Sequence, residues 1–228
     1  MAILSIIIPA HNESATIEEV LRRVRLADTA GYEKEIVVVN DGSTDNTGFL
    51  IDQFTEKDDF RVIHHSENLG KGAAIQSAFR VMSGEVFVIQ DADLEYNPED
   101  IAKLLLALKP EIAGVFGRRG IKRYPERGFH YVIGAKVLTW TFNLLFKTSL
   151  SDLYSGYKLV RSKYIQGISF KFKGFEIEAE LAATIVKKGG KIIETPIQYT
   201  PRNKIQGKHI RAIDAFKGFW AIIKLKGK

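Results

Sequence analysis

The sequence predicts an α/β domain in which helices cover both faces of a mostly parallel central sheet. Three observations predict it. Short β-branched runs alternate with amphipathic stretches through the first half of the chain. The runs are continuously apolar, as in Ile36-Val37-Val38-Val39, which suits strands buried on both faces. Polar clusters follow most of the runs, at the carboxyl ends where such sheets bind ligands.

Strands are expected at Leu4–Pro9, Glu35–Asn40, Arg61–His65, Glu85–Gln90 and Ile112–Gly117. Helices are expected between them, at about Ser14–Ala27, Thr44–Glu56, Lys71–Met82 and Pro98–Leu108. Ser14 and Thr16 stand ahead of Glu18, and Pro98 ahead of Glu99 and Asp100, as helix starts require. The second half is less regular. It holds an arginine-rich loop (Arg118 to Arg127), an apolar helix over Tyr131–Phe146 and a turn at Ser155-Gly156. A helix over Phe175–Lys188, a strand over Lys191–Tyr199, a basic loop and a final amphipathic helix follow.

No stretch reads as a linker, so residues 1–228 are expected to form a single domain. The absence of cysteine excludes a disulfide framework, a thiolate metal site and a cysteine nucleophile. It also suits a reducing compartment. The first residues lack a basic leader pattern, so no signal peptide is expected. No run reaches the roughly 18 apolar residues that a spanning helix needs. Net charge is +6, and from Arg202 to Lys228 eight Lys/Arg face the single acid Asp214. That end favours anionic partners: phosphate, nucleic acid or an anionic bilayer.

The post-strand clusters carry the candidate chemistry. Asp91 and Asp93 flank the small Ala92 just after an apolar strand, and residues two apart on extended chain point the same way. Paired carboxylates repel unless a cation or proton lies between them. Hard oxygens suit Mg²⁺ or Mn²⁺, which keep positions open for diphosphate oxygens, and Glu95 could add a third oxygen. Asp41-Gly42-Ser43-Thr44-Asp45 reads equally as a ligand loop and as a capped turn. The same two readings hold for Asn12-Glu13 and for Gly70-Lys71-Gly72, whose glycines allow close backbone approach at a helix start. Neither a dinucleotide-binding glycine fingerprint nor a P-loop is present, which counts against a dehydrogenase and an ATPase. Arg118, Arg119, Arg123 and Arg127 crowd one loop, and Arg202, Lys204 and Lys208 another, in a pattern suited to phosphate. No His-centred dyad or triad is evident.

Together these residues resemble the family-2 nucleotide-sugar glycosyltransferases, and more closely the dolichol- or polyprenyl-phosphate hexosyltransferases, over almost the whole chain. Pro9-Ala10-His11-Asn12-Glu13 matches P-x-Y-N-E, with His11 replacing the aromatic. Asn40-Asp41-Gly42-Ser43-Thr44-Asp45-Asn46-Thr47 matches D-D-G-S-x-D-x-T, with Asn40 replacing the first aspartate. Asn68-Leu69-Gly70-Lys71-Gly72 and Asp91-Ala92-Asp93-Leu94-Glu95 match the next segments. Gly117-Arg118-Arg119 resembles G-S-R, Asp152 to Lys158 resembles D-x-x-S/T-G-Y/F-K/R, and Gly174 to Glu178 resembles G-F-E-x-E. Pro201-Arg202 with Gly207-Lys208 resembles a loop that closes over donor diphosphate and acceptor phosphate.

The resemblance implies a single GT-A-type nucleotide-diphospho-sugar transferase domain. Residues 1–117 would form its nucleotide-sugar half, and residues 118–228 its acceptor half with a basic C-terminal helix. It implies donor contacts at Pro9, His11, Asn12, Glu13, Asp41, Lys71, Asp91, Ala92 and Asp93. Asp91, Asp93 and Glu95 would hold a divalent cation, Mg²⁺ or Mn²⁺. Arg119, Arg127, Ser155, Arg202 and Lys208 would hold the acceptor phosphate, with Asp93 and Arg119 as catalytic residues. The reaction implied is inverting transfer of a hexose from a donor such as GDP-mannose or UDP-glucose to a polyprenyl or dolichyl monophosphate. The protein would sit peripherally on the cytoplasmic membrane face. An acceptor phosphate is already anionic, which accounts for the lack of a histidine base. Transfer to a saccharide hydroxyl would instead need a carboxylate base, for which Glu176 or Glu178 could serve. A nucleic-acid-binding module would leave the acidic loops unexplained, so no nucleic-acid partner is expected.

Overall fold

In a computed structural model, residues 1–55, 60–120, 129–202 and 212–227 are described. Strands β1 (Ile3–Ala10), β2 (Glu33–Asn40), β3 (Phe60–His64), β4 (Val86–Ile89), β5 (Ile112–Arg118), β6 (Lys158–Arg161) and β7 (Lys191–Pro196) form one sheet in the order β3-β2-β1-β4-β6-β5-β7. The helices are α1 (Ile17–Leu26), α2 (Thr47–Thr55), α3 (Lys71–Val81), α4 (Asp100–Ala107), α5 (Phe129–Phe146), α6 (Ile177–Lys187) and α7 (Ala212–Lys226). No helix among the described residues is long and apolar enough to cross a membrane.

Strand side chains alternate between two cores, one on each face of the sheet. Leu4, Ile6, Ile8, Ile36 and Val38 pack with Val20 and Leu21 of α1, Ile51 of α2 and Leu104 of α4. Ile7, Val37, Val39, Phe87 and Ile89 pack on the other face with Ile75 of α3, Phe142 of α5, Leu181 of α6 and Ile222 of α7. Both sides are therefore apolar, which is why these strands read as unbroken hydrophobic runs.

The expected mixed character of the sheet comes from a strand the sequence pattern did not announce. β6 runs antiparallel to both neighbours, β4 and β5, while the other pairings are parallel. It is four residues long and begins and ends in a charge, Lys158 and Arg161, so neither its length nor its polarity signals a central strand. The expected strand over Lys191–Tyr199 ends at Pro196, with Tyr199 joined to Tyr96 by an isolated bridge.

The chain winds from β1 through β2 to β3 and then returns to place β4 on the opposite side of β1. That reversal opens a crevice at the carboxyl ends of β1 and β4, where open α/β sheets bind ligands. The loops after β1, β2 and β4 begin at His11, Asp41 and Gln90.

Candidate active site

The β1 and β4 loops are tied across this crevice. Thr16 Oγ1 donates to the Ala92 carbonyl at 2.8 Å, while Glu13 N donates to Thr47 Oγ1 at 2.8 Å and so ties the loop after β1 to the start of α2 as well. Asn12 takes a left-handed backbone (φ 54°), which asparagine tolerates, and its Oδ1 accepts from Thr44 N at 2.8 Å. His11 Nδ1 lies 2.8 Å from the Asp41 carbonyl, and Pro9 is half-buried within β1.

Asp91 and Asp93 are both buried at the end of β4. Each already meets a cationic side chain. Lys71 Nζ lies 2.7 Å from Asp91 Oδ1, and Arg202 Nη2 lies 3.3 Å from Asp93 Oδ2. Arg202 also donates to both Glu13 oxygens, at 2.7 and 2.6 Å, and through Nε to the Asp93 carbonyl at 3.2 Å. One arginine thus joins the loop after β1, the loop after β4 and the segment after β7.

Glu95 is engaged by the segment after β7. Its Oε2 accepts from Tyr199 OH at 3.0 Å and its Oε1 from Arg202 N at 3.2 Å. Leu94 between Asp93 and Glu95 has φ 58°, so the extended alternation expected from sequence breaks there. No three acidic or histidine groups gather as a metal cluster among the described residues. All three carboxylates have protein partners, Asp91 with Lys71, Asp93 with Arg202 and Glu95 with Tyr199 and Arg202, and hard oxygens of this kind suit a divalent cation.

Lys71 is also held from behind. Its Nζ lies 2.9 Å from Glu178 Oε1, and Glu178 Oε2 lies 2.6 Å from Lys158 Nζ. The result is a buried row of alternating charge: Asp91, Lys71, Glu178, Lys158. Burial alone would lower the Lys71 pKa, but Asp91 and Glu178 outweigh it and hold the ammonium well above its usual range. Burial would raise Glu178, yet Lys158 and Lys71 bring it below the usual carboxylate value. Burial shifts Lys158 downward, against the opposing pull of Glu178. Gly156 is required beside this row, because a Cβ there would lie 2.5 Å from Asp91 Oδ2.

Asp41 is buried and its carboxylate is spent on the protein. It accepts from Leu69 N at 3.0 Å, from Gly70 N at 2.8 Å and from His65 Nδ1 at 2.7 Å. His65 Nε2 in turn lies 2.9 Å from Ser77 Oγ. This Ser77–His65–Asp41 chain is invisible in sequence, where the three residues stand far apart. It serves as a clamp rather than a nucleophile, since Asp41 binds two loop amides at the same time. The close approach expected at Gly70 and Gly72 is also internal. Cβ atoms there would lie 2.6 Å from the Lys173 carbonyl and 2.5 Å from that of Phe172.

Arg119 forms a buried bidentate pair with Asp152, Nε to Oδ2 at 2.8 Å and Nη2 to Oδ1 at 2.7 Å. Its guanidinium lies over the Tyr199 ring, 5.3 Å from the centroid. Glu194 holds Ser151 N and Asp152 N, so Arg119 is joined to an anchored turn. Ser155 in that turn is buried, and its carbonyl accepts from Lys158 Nζ. Arg118 is exposed, while Arg123, Arg127, Lys204, Gly207 and Lys208 lie outside the described residues.

The sequence profile of Glycosyl transferase family 2 matches residues 5–169. A dolichol-phosphate mannosyltransferase of Pyrococcus furiosus is 30% identical over 244 residues, covering 99% of this chain. This chain spans 65% of that relative's length. A polyprenol monophosphomannose synthase of Mycolicibacterium smegmatis is 28% identical, over 90% of this chain and 82% of its own. Among solved structures, glucosyl-3-phosphoglycerate synthase from Mycobacterium tuberculosis, in complex with Mn²⁺, uridine diphosphate and phosphoglyceric acid, superposes with a TM-score of 0.76. It is 19% identical, with 99% of this chain and 79% of the other covered. The fold is thus a single GT-A-like α/β domain, and the chain belongs to glycosyl transferase family 2.

Proposed function

We propose that this protein transfers a hexose, with inversion, from a nucleotide diphosphate sugar to a polyprenyl or dolichyl monophosphate. The observation that carries the reading is the pair Asp91 and Asp93 at the β4 end, set between Lys71 and Arg202. The naming of relatives as dolichol- and polyprenol-phosphate mannosyl enzymes supports the acceptor class and favours GDP-mannose over UDP-glucose as the first donor to test. Residues 1–117 would bind the donor and residues 118–228 the acceptor.

Asp91 and Asp93 would hold Mg²⁺ or Mn²⁺, which when bound there offsets negative charge on the departing diphosphate. Lys71 and Arg202 would add fixed positive charge beside the same leaving group. Asp41, His11 and Asn12 would shape the nucleoside end by holding the loops after β1 and β2 together. Arg119 would act through Asp152, keeping the Asp152–Gly156 turn against Asp91, with Arg127 and Lys208 contributing charge on the acceptor side. For transfer to a saccharide hydroxyl, Glu178 is sealed between two lysines, which leaves Glu176 as the candidate base.

An acceptor in a bilayer accounts for the exposed apolar rows on two helices. Ile133, Val137, Trp140 and Leu144 are exposed on α5, and Phe216, Phe219, Trp220 and Ile223 on α7. With Lys217 and Lys224 nearby, these rows fit the anionic surface of the cytoplasmic membrane face.

The test is a transfer assay with GDP-mannose and UDP-glucose against short-chain polyprenyl phosphate and free sugars, with and without Mn²⁺. Lipid-linked hexose should form only with metal. Asp93→Asn should cut turnover by about 100-fold or more, the scale on which lost transition-state electrostatics are felt. Product on free sugars alone would remove the lipid-acceptor reading.

A further inference from the structure

The two carboxylates at the β4 end meet cations of different character. Lys71 is fixed. It begins α3, and its Nζ lies 2.7 Å from Asp91 Oδ1 and 2.9 Å from Glu178 Oε1. Arg202 instead stands after β7 and before α7, outside any helix or strand. Its guanidinium is shared unequally between two acids. Nη2 donates to both Glu13 oxygens, at 2.7 and 2.6 Å, and lies 3.3 Å from Asp93 Oδ2. Strong charge-assisted bonds measure about 2.7–2.9 Å, so Glu13 is the tight partner and the Asp93 carboxylate the loose one.

The loose partner is the one a metal would need. The Asp93 side chain is 4% exposed, against 16% for Arg202 and 19% for Glu13, so a nearly buried carboxylate has its positive neighbour on the more open side. A small divalent cation would bind the Asp93 oxygens at about 2.0–2.1 Å, beside a guanidinium that already faces one of them. Like charges that close repel strongly where little water screens them. Metal and arginine therefore cannot both hold Asp93 Oδ2 at full strength.

We propose that Arg202 is the internal counter-ion of the metal site, competing with the divalent cation for Asp93 and so setting how tightly metal binds before any nucleotide arrives. The proposal rests on the reading of Asp91 and Asp93 as the metal ligands. When metal enters, Arg202 gives up Asp93 Oδ2 and keeps Glu13, so the exchange costs only its longest carboxylate contact. Lys71 stays in place, held from behind by Glu178. This role belongs to the nucleotide-free protein and is distinct from any contact of Arg202 with a diphosphate.

The test is Mn²⁺ binding to the whole chain, stripped of metal and free of nucleotide, read from the paramagnetic resonance signal of unbound Mn²⁺. Arg202→Met, which keeps an unbranched stem and removes the charge, should bind Mn²⁺ about tenfold more tightly than the parent. Arg202→Lys, which keeps the charge but loses the fork, should lie between the two. The double variant Arg202→Met/Glu13→Gln should keep the gain. Loss of the gain there would assign it to a released Glu13 carboxylate and overturn the competition for Asp93. Thermal unfolding is a second readout. Arg202→Met should melt below the parent without metal, yet a fixed excess of Mn²⁺ should raise its melting temperature by more than the parent's. A merely damaged site would do the reverse. Unchanged or weaker Mn²⁺ binding in Arg202→Met would overturn the proposal and leave the metal site standing. Mn²⁺ binding that survives Asp91→Asn/Asp93→Asn would instead overturn the metal site, and the proposal with it.

Discussion

Lys158 shows how much a single residue can carry here. Fully buried, it faces Glu178 at 2.6 Å and lies over the Phe116 ring, 4.9 Å from the centroid. Removing one member of a buried pair leaves an uncompensated charge and costs about 3–5 kcal/mol. Lys158→Met should lower unfolding stability in urea by that order. The double variant Lys158→Met/Glu178→Met should recover part of the loss, a coupling that a double-mutant cycle measures. Neither Lys158 nor Glu178 announces this role in sequence. Each belongs to a motif, but the row from Asp91 to Lys158 exists only because β6 brings Lys158 beneath α6. His65 and Ser77 are hidden for the same reason: a clamp on Asp41 depends on loops meeting, and no local spacing encodes that. Asp91 and Asp93 were legible because a strand end followed by paired carboxylates is a local pattern. The orientation of Glu95 was not, because it turns on the left-handed Leu94.

At the scale of elements, helix starts and loop approaches are where stability is most open to test. Asp45 anchors the start of α2: its Oδ1 accepts from Thr47 N at 2.9 Å and its Oδ2 from Ser14 N at 3.2 Å. Burial opposes ionisation, but bonds from Thr47 and Ser14 prevail and lower its pKa to about 2 from 3.8. A depressed carboxyl contributes stability that is full above the unfolded value and lost as pH falls through the folded one. Stability from Asp45 should therefore be complete above about pH 4 and decline toward pH 2. Asp45→Asn should flatten that part of the pH profile, measured by urea midpoint. Gly70 sits at φ 96° against the Lys173 carbonyl, so Gly70→Ala combines a left-handed penalty of about 1–2 kcal/mol with a backbone clash. Its melting temperature should fall accordingly. The boundaries of α1, α2, α4 and α6 lie one to three residues inside those expected, because the capping residues count in a sequence pattern but not in the helix. β6 was missed as an element, since four residues flanked by charges carry no periodicity.

At the scale of the molecule, the exposed rows of α5 and α7 set the strongest expectation. Co-sedimentation with anionic vesicles should be seen at low salt and weaken as salt rises, since charge attraction is screened. Trp140→Glu/Trp220→Glu should abolish it while leaving the fold intact, because both residues are surface-exposed. Neutral vesicles binding as well as anionic ones would remove the basic residues from the account. The α/β class, the parallel strands β1 to β4 and the ordered polar loops followed from sequence alone, because alternation, two-sided apolar runs and local turn chemistry are short-range properties. The antiparallel insertion of β6, the pairing of Arg119 with Asp152, and the reach of Arg202 to Glu13 and Asp93 were decided by tertiary structure. Each joins residues from distant parts of the chain, and such contacts are set by how buried charges find partners once the sheet has formed.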